Sequence, residues 1–263
     1  MTTSRPLLVA NWKANLAPKR EAALAAELVR RLTALPDFPE QLELFLAPST
    51  LGLTGVAREL AGTPIGLAAQ DCSAETVGAH TGDAPAEHLA TIATMVLIGH
   101  AERRRSYGEH GALLGRKAAR AVAAGLRPIF CLADLTADPL SGRGSALADE
   151  WGAFLAGALQ AGCDRDALIA GGLIIAYEPT TAIGSGEPLD PDGAQAAAAA
   201  IRAIVGVQLP VLYGGSITDA GAEMYLAPTS DPAATLNGLL VGGASLTPSR
   251  LLAIISTLTG VTA

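Results

Sequence analysis

Short apolar runs alternate with longer amphipathic or alanine-rich segments along nearly the whole chain. The runs Leu7–Ala10, Leu42–Leu46, Ile65–Ala69, Met95–Ile98, Arg127–Cys131, Leu173–Tyr177, Val211–Tyr213 and Leu239–Val241 have the length of strands. Several are apolar without alternation, the pattern of parallel strands covered on both faces. The segments between them predict helices near Pro18–Thr33, Thr50–Leu60, Ala86–Ile92, Gly111–Ala124, Ser145–Gln160, Pro191–Ile204, Asp219–Tyr225 and Pro248–Leu258. Pro191 and Pro248 sit at helix starts, where the missing N–H costs nothing. Strand–helix units that repeat without a long linker predict an α/β fold: a single (β/α)8 barrel domain over residues 1–263. A doubly wound open sheet would carry a glycine-rich loop after its first strand, and Asn11-Trp12-Lys13 stands there instead.

Composition agrees with this pattern. At 263 residues the length alone would allow two domains, but α/β barrels reach this size as one. Half the residues are apolar and 16% are charged, enough for one large core and unlike a disordered chain. A net charge of -7 argues against a nucleic-acid partner, though a local positive pocket can still hold one small phosphate. Cys72, Cys131 and Cys163 form no CxxC pair, which predicts free buried thiols in a reducing compartment. The run Leu7–Ala10 is too short for a signal peptide, and no stretch nears the ~20 apolar residues of a membrane span. The expectation is a cytoplasmic protein with no membrane partner.

In such a barrel the chemistry gathers where the strands' C-terminal ends open into loops. The first strand leads into Asn11 and Lys13, and the fourth into His100 and Glu102. The sixth leads into Glu178, the seventh into Gly214, Gly215 and Ser216, and the eighth into Gly242 and Gly243. Glycine pairs before helical segments let backbone N–H groups approach a phosphate, with Ser216 adding a hydroxyl; tight turn-making is their plainer use. A carboxylate at Glu178 can take a proton from carbon, and His100 at a helix start can donate to a carbonyl. Lys13 can face a developing enediolate. Each of these residues alone also has an ordinary structural use. Together they suggest proton transfer beside a carbonyl in a phosphorylated substrate.

Six motifs stand in order along the chain: Asn11-Trp12-Lys13, Ile98 to Arg104, Tyr177-Glu178-Pro179, Ala182 to Gly186, Tyr213 to Ser216 and Leu240 to Ser245. In type, order and spacing this set resembles the triosephosphate isomerase family from the first strand to the last. The resemblance implies Glu178 as the base, neutral His100 as the group that polarises the carbonyl, and Lys13 as the charge stabiliser. It implies Asn11 in the polar wall and Glu102 as the ion-pair partner that orients Lys13. It places the phosphate on Gly184, Ser216, Gly242 and Gly243, beneath a lid at Pro179–Gly186. No metal or organic cofactor is implied. It also implies a homodimer, with the loop Gly78–Asp83 reaching into the partner and Thr81 supporting the site there.

The chain departs from the family's usual pattern at several places. Ala101 replaces a serine, Thr180-Thr181 replace Val-Trp at the lid tip, and Asp134 replaces a glutamate. His80 replaces an aromatic residue, Asp71 an asparagine, and Ala227–Asn237 is longer than usual. The small lid residues keep a four-carbon ketose phosphate open as the substrate, and a non-catalytic barrel is the reading from a different class. The intact set of Lys13, His100 and Glu178 speaks against the latter, since a binder needs no base.

Overall fold

The computed structural model describes residues 5–35, 38–133, 144–179 and 188–260. The expectations placed on Asp134, Thr180, Thr181 and Gly184 lie outside the described residues. The strands are β1 (Leu7–Asn11), β2 (Glu43–Ala47), β3 (Gly66–Ala69), β4 (Met95–Ile98), β5 (Arg127–Ala133), β6 (Ile174–Glu178), β7 (Val211–Gly215) and β8 (Gly238–Val241). They pair in parallel and in sequence order, and β8 returns to β1, so the sheet closes into a barrel. The described helices are α1 (Pro18–Leu32), α2 (Phe38–Gln41), α3 (Leu53–Leu60), α4 (Ala86–Leu89), α5 (Ala101–Tyr107), α6 (Gly111–Ala123), α7 (Gly144–Gln160), α8 (Arg165–Ala170), α9 (Pro191–Val205) and α10 (Pro248–Thr259).

Strand side chains alternate between two apolar layers. Leu7, Val9, Met95, Leu97, Ile129, Cys131, Ile174, Ala176, Leu212 and Leu240 fill the barrel interior. Leu8, Ala10, Val96, Ile98, Phe130, Leu132, Ile175, Tyr177 and Val211 face the surrounding helices. Both sets are buried, which is why the strands read as continuous apolar runs. Helix starts follow local chemistry: Asp164 and Asp190 cap α8 and α9 through backbone N–H groups of Ala167 and Gly193. The expected helix over Asp219–Tyr225 is instead a 3-10 turn at Ala222–Leu226, and Gly243–Leu246 is another before α10. In the first, Gly221 at φ 86 breaks the approach to a regular helix. The cysteines are free and buried, as expected. Among the described residues no helix is long and apolar enough to cross a membrane.

Two polar networks sit inside this apolar frame. Lys117 Nζ donates to Asp71 Oδ1 at 2.7 Å and to Glu109 Oε1 at 2.7 Å. Arg103 reaches the same two acids at 2.9 and 2.6 Å. The two carboxylates compete for the same cations. Burial raises Asp71 above the usual carboxylate range despite Lys117, whereas the hydrogen bonds from Arg103 and Lys117 outweigh burial at Glu109 and lower it. The second network is aromatic. Tyr213 and Tyr225 stack with centroids 4.6 Å apart, and both hydroxyls hold the Leu189 peptide. Leu189 N donates to Tyr213 Oη at 2.8 Å, and Tyr225 Oη donates to the Leu189 carbonyl at 2.7 Å.

The raised Asp71 takes up protons more readily in the folded than in the unfolded chain. Its contribution to stability is therefore full below about pH 4 and is lost as pH rises through its folded pKa. Glu109 acts in the opposite sense, stabilising above the ordinary range and losing that effect as pH falls. The Asp71→Asn protein is expected to gain stability with rising pH more steeply than the parent from about pH 4 upward. Urea midpoints across that range test this, and parallel profiles would contradict it. Tyr225→Phe leaves the Leu189 carbonyl without its donor and should cost about 1 kcal/mol in the same unfolding assay.

Candidate active site

Strand alternation brings polar groups to the mouth of the barrel. Inward-facing Leu7 and Val9 put Asn11 on the interior side of β1's end, and Ile174 and Ala176 do the same for Glu178 on β6. Gly214 follows inward Leu212 on β7, and a Cβ there would stand 2.9 Å from Glu178 Cγ. The glycine thus leaves the room that the carboxylate side chain occupies. After β4, Gly99 at φ 74 turns the chain so that His100 becomes the N-cap of α5.

His100 and Glu178 are 5% and 4% exposed and touch each other. His100 Nε2 lies 3.0 Å from Glu178 Oε1. The Glu102 backbone N–H donates to His100 Nδ1 at 3.3 Å, so Nδ1 carries no proton. Hydrogen bonding therefore assigns a neutral imidazole whose Nε2–H points at the carboxylate. The Glu102 carboxylate is 3.6 Å from Nδ1 and bonds Lys13 instead, with Nζ to Oε1 at 2.8 Å. Burial pushes the Glu102 carboxyl up, but the hydrogen bond and charge of Lys13 hold it below its ordinary value. Glu178 Oε2 is buried and has no hydrogen-bond partner among the described residues. Glu109 Oε2 and Trp12 Nε1 are buried and unpaired as well, so what sets Glu178 apart is its contact with His100 at the barrel mouth.

Lys13 has φ 54, the one positive φ at a non-glycine residue among those described. A side chain in that region costs about 1–3 kcal/mol and persists only where the surroundings hold it. Here Asn11 Oδ1 accepts from Lys13 N at 3.0 Å, and Gln70 Nε2 donates to the Lys13 and Ala47 carbonyls at 2.8 Å each. Arg104 secures the neighbouring wall, donating to the carbonyls of Gly99 and Cys131 and to Glu150. Burial first, then Glu178, pushes the Cys131 thiol well up, so it stays protonated beneath the site.

A cavity of about 290 Å³ opens at this place. Asn11, Lys13, His100, Glu178, Ser216, Gly242 and Gly243 all line it. A Cβ on Gly242 would lie 3.6 Å from Lys13 Cε, so the lysine stem runs beside that glycine. Gly243 faces open space. The 3-10 turn after Gly242, not a long helix, follows the last glycine pair. Glu102 borders a second cavity of about 230 Å³ beside Lys13, shared with Asp71, Arg103 and Tyr107. Thr81 is not in its own chain's site; it lies on the exposed loop 75–83. Gln70 and Arg104 hold the site in ways the sequence alone does not indicate. Gln70 was detectable as a polar residue directly after β3's apolar run, whereas nothing local marks Arg104 among three consecutive arginines.

Comparison with known proteins agrees with the geometry. The family model described as triosephosphate isomerase matches residues 6–258. A protein named triosephosphate isomerase from Acidiphilium cryptum is 38% identical, covering 95% of this chain and 97% of its own length. Namesakes from Symbiobacterium thermophilum and Herpetosiphon aurantiacus are 33% and 35% identical, each over 95% of this chain. A closed eightfold barrel, a carboxylate and an imidazole in contact at its mouth, and relatives matched over nearly their full length lead to one conclusion: the chain belongs to the triosephosphate isomerase family.

Proposed function

We propose that this chain interconverts dihydroxyacetone phosphate and D-glyceraldehyde 3-phosphate, with Glu178, His100 and Lys13 carrying the reaction. The observation that supports these roles most is the buried pair of neutral His100 and half-paired Glu178 beside an ammonium. Glu178 removes a proton from the carbon next to the carbonyl. The C–H electron pair becomes the C=C bond of an enediolate, and the carbonyl π pair moves to oxygen. His100 Nε2–H donates to that oxygen and moves protons between the two oxygens, and Lys13 offsets the negative charge. Glu178 returns its proton to the neighbouring carbon. Ser216 and the backbone of Gly242 and Gly243 hold the phosphate, with Gly184 expected to join them. The curated relatives bear the triose name, which favours the three-carbon substrate over a four-carbon ketose phosphate.

The same reading includes a homodimer. Loop 75–83 is exposed throughout and is held at its base where Ser73 Oγ donates to Asp83 Oδ2 at 2.6 Å. Tyr107, 70% exposed, lines the Lys13-side cavity, and Leu51, 83% exposed, follows its lining residue Thr50, which suits entry of the partner's loop. Thr81 at the tip then reaches a site that its own chain does not offer. The barrel and the free buried cysteines fit a cytoplasmic location.

In a coupled isomerase assay, His100→Gln and Glu178→Asp should each lower kcat by about 10²–10⁴-fold while the fold stays intact, the range for a displaced acid–base group. Parent-level activity in both variants would remove these roles. Thr81→Arg should yield monomers by sedimentation and reduce activity by about 10²-fold, the effect of a small misplacement at the site. A fully dimeric, fully active variant would contradict the loop's assignment.

A further inference from the structure

The groups around the cavity raise an electrostatic question. The substrate carries a phosphate dianion, the chain has a net charge of -7, and the site presents its own carboxylate at Glu178. Lys13 is largely balanced by Glu102 at 2.8 Å. Those three groups together leave a negative mouth for a negative ligand. One more cation lines the same cavity as Ser216, Thr218, Gly242 and Gly243: Arg250. Its side chain is exposed and has no ion pair or hydrogen bond among the described residues.

The position of Arg250 has no explanation in helix stability. α10 starts at Pro248, so Arg250 stands in its first turn, with its N–H bonded to the Thr247 carbonyl at 3.1 Å. The dipole of a helix favours acidic side chains in that turn, and α10 has none there. A cation at the positive end of a helix, unpaired and facing an anion's cavity, is better explained by the ligand than by the fold.

We infer that Arg250 is a substrate-recognition residue that draws in and positions the phosphate dianion at the outer edge of the Ser216, Gly242 and Gly243 cradle. Fixed positive charge at a cleft mouth raises the local concentration of an anion, and guanidinium matches phosphate oxygens in a fork. The inference rests on reading that cradle as the phosphate site. Arg250 touches no reacting atom, so its effect falls on KM and on association more than on kcat.

The test uses the full chain with Arg250→Gln, Arg250→Lys and, as a control for net charge, the exposed remote Arg30→Gln. Arg250→Gln should raise KM for glyceraldehyde 3-phosphate by about fivefold to tenfold, with a smaller change in kcat. Its kcat/KM should fall less steeply with ionic strength than the parent's. Its affinity for inorganic phosphate, measured by calorimetry, should weaken by a similar factor. Arg250→Lys should keep the salt dependence, and Arg30→Gln should behave as the parent. Unchanged KM, salt slope and phosphate affinity in an active Arg250→Gln protein would overturn the inference. A parent that binds inorganic phosphate through Arg250 but does not isomerise would overturn the proposed reaction instead and leave the anion site standing.

Discussion

The contact between His100 Nε2 and Glu178 Oε1 requires two strands that are not neighbours to end at matching heights. β4 and β6 are joined only through β5, whose register pairs Ile98 with Phe130 on one side and Glu178 with Ala133 on the other. A slip of one residue in β6 would turn Glu178 out toward the helices, because successive strand side chains alternate faces. Barrel closure with an apolar layer on each face of the sheet makes that slip costly. Arg104 adds a direct brace, tying Gly99 before His100 to Cys131 on β5 and to Glu150 on α7. The chemistry of the site thus depends on parallel register more than on any one loop.

The same constraint explains what the amino-acid sequence disclosed. Strands buried on both faces leave continuous apolar runs, and Met95–Ile98 and the start of β7 at Val211 could be bounded from them alone. The first polar residue after each run then fell at the barrel mouth, which exposed Asn11, His100 and Glu178 as a set. Tertiary contacts were less visible. A glutamine at position 70 does not announce that it will hold the Lys13 carbonyl, and Tyr225 does not announce its bond to Leu189. The segment Asp219–Tyr225 has helical composition, yet Gly221 in a left-handed conformation limits it to a 3-10 turn. Arg250 resembled an ordinary surface cation until the fold placed it at the cavity.

Charge is arranged locally against an acidic whole. Glu109 and Asp71 are matched in place by Lys117 and Arg103, and Glu102 by Lys13. Glu178 meets a neutral imidazole instead, and one of its oxygens, like Glu109 Oε2, has no partner among the described residues. The contact with an uncharged ring sets this carboxylate apart from those three, and Gly214 gives it room. The strain at Lys13 has the same character, since Asn11 and Gln70 hold an unfavourable backbone so that the ammonium faces the cavity.

The most direct test of the central claim follows the hydrogen itself. A proton that passes through Glu178 waits on an oxygen where it exchanges with solvent, whereas a hydride moving between adjacent carbons does not. Isomerisation run in D2O and read by proton NMR should give product with deuterium on the carbon next to the carbonyl, and Glu178→Gln should abolish both turnover and label. Product formed at full rate without any deuterium would contradict a carboxylate base at the mouth of this barrel.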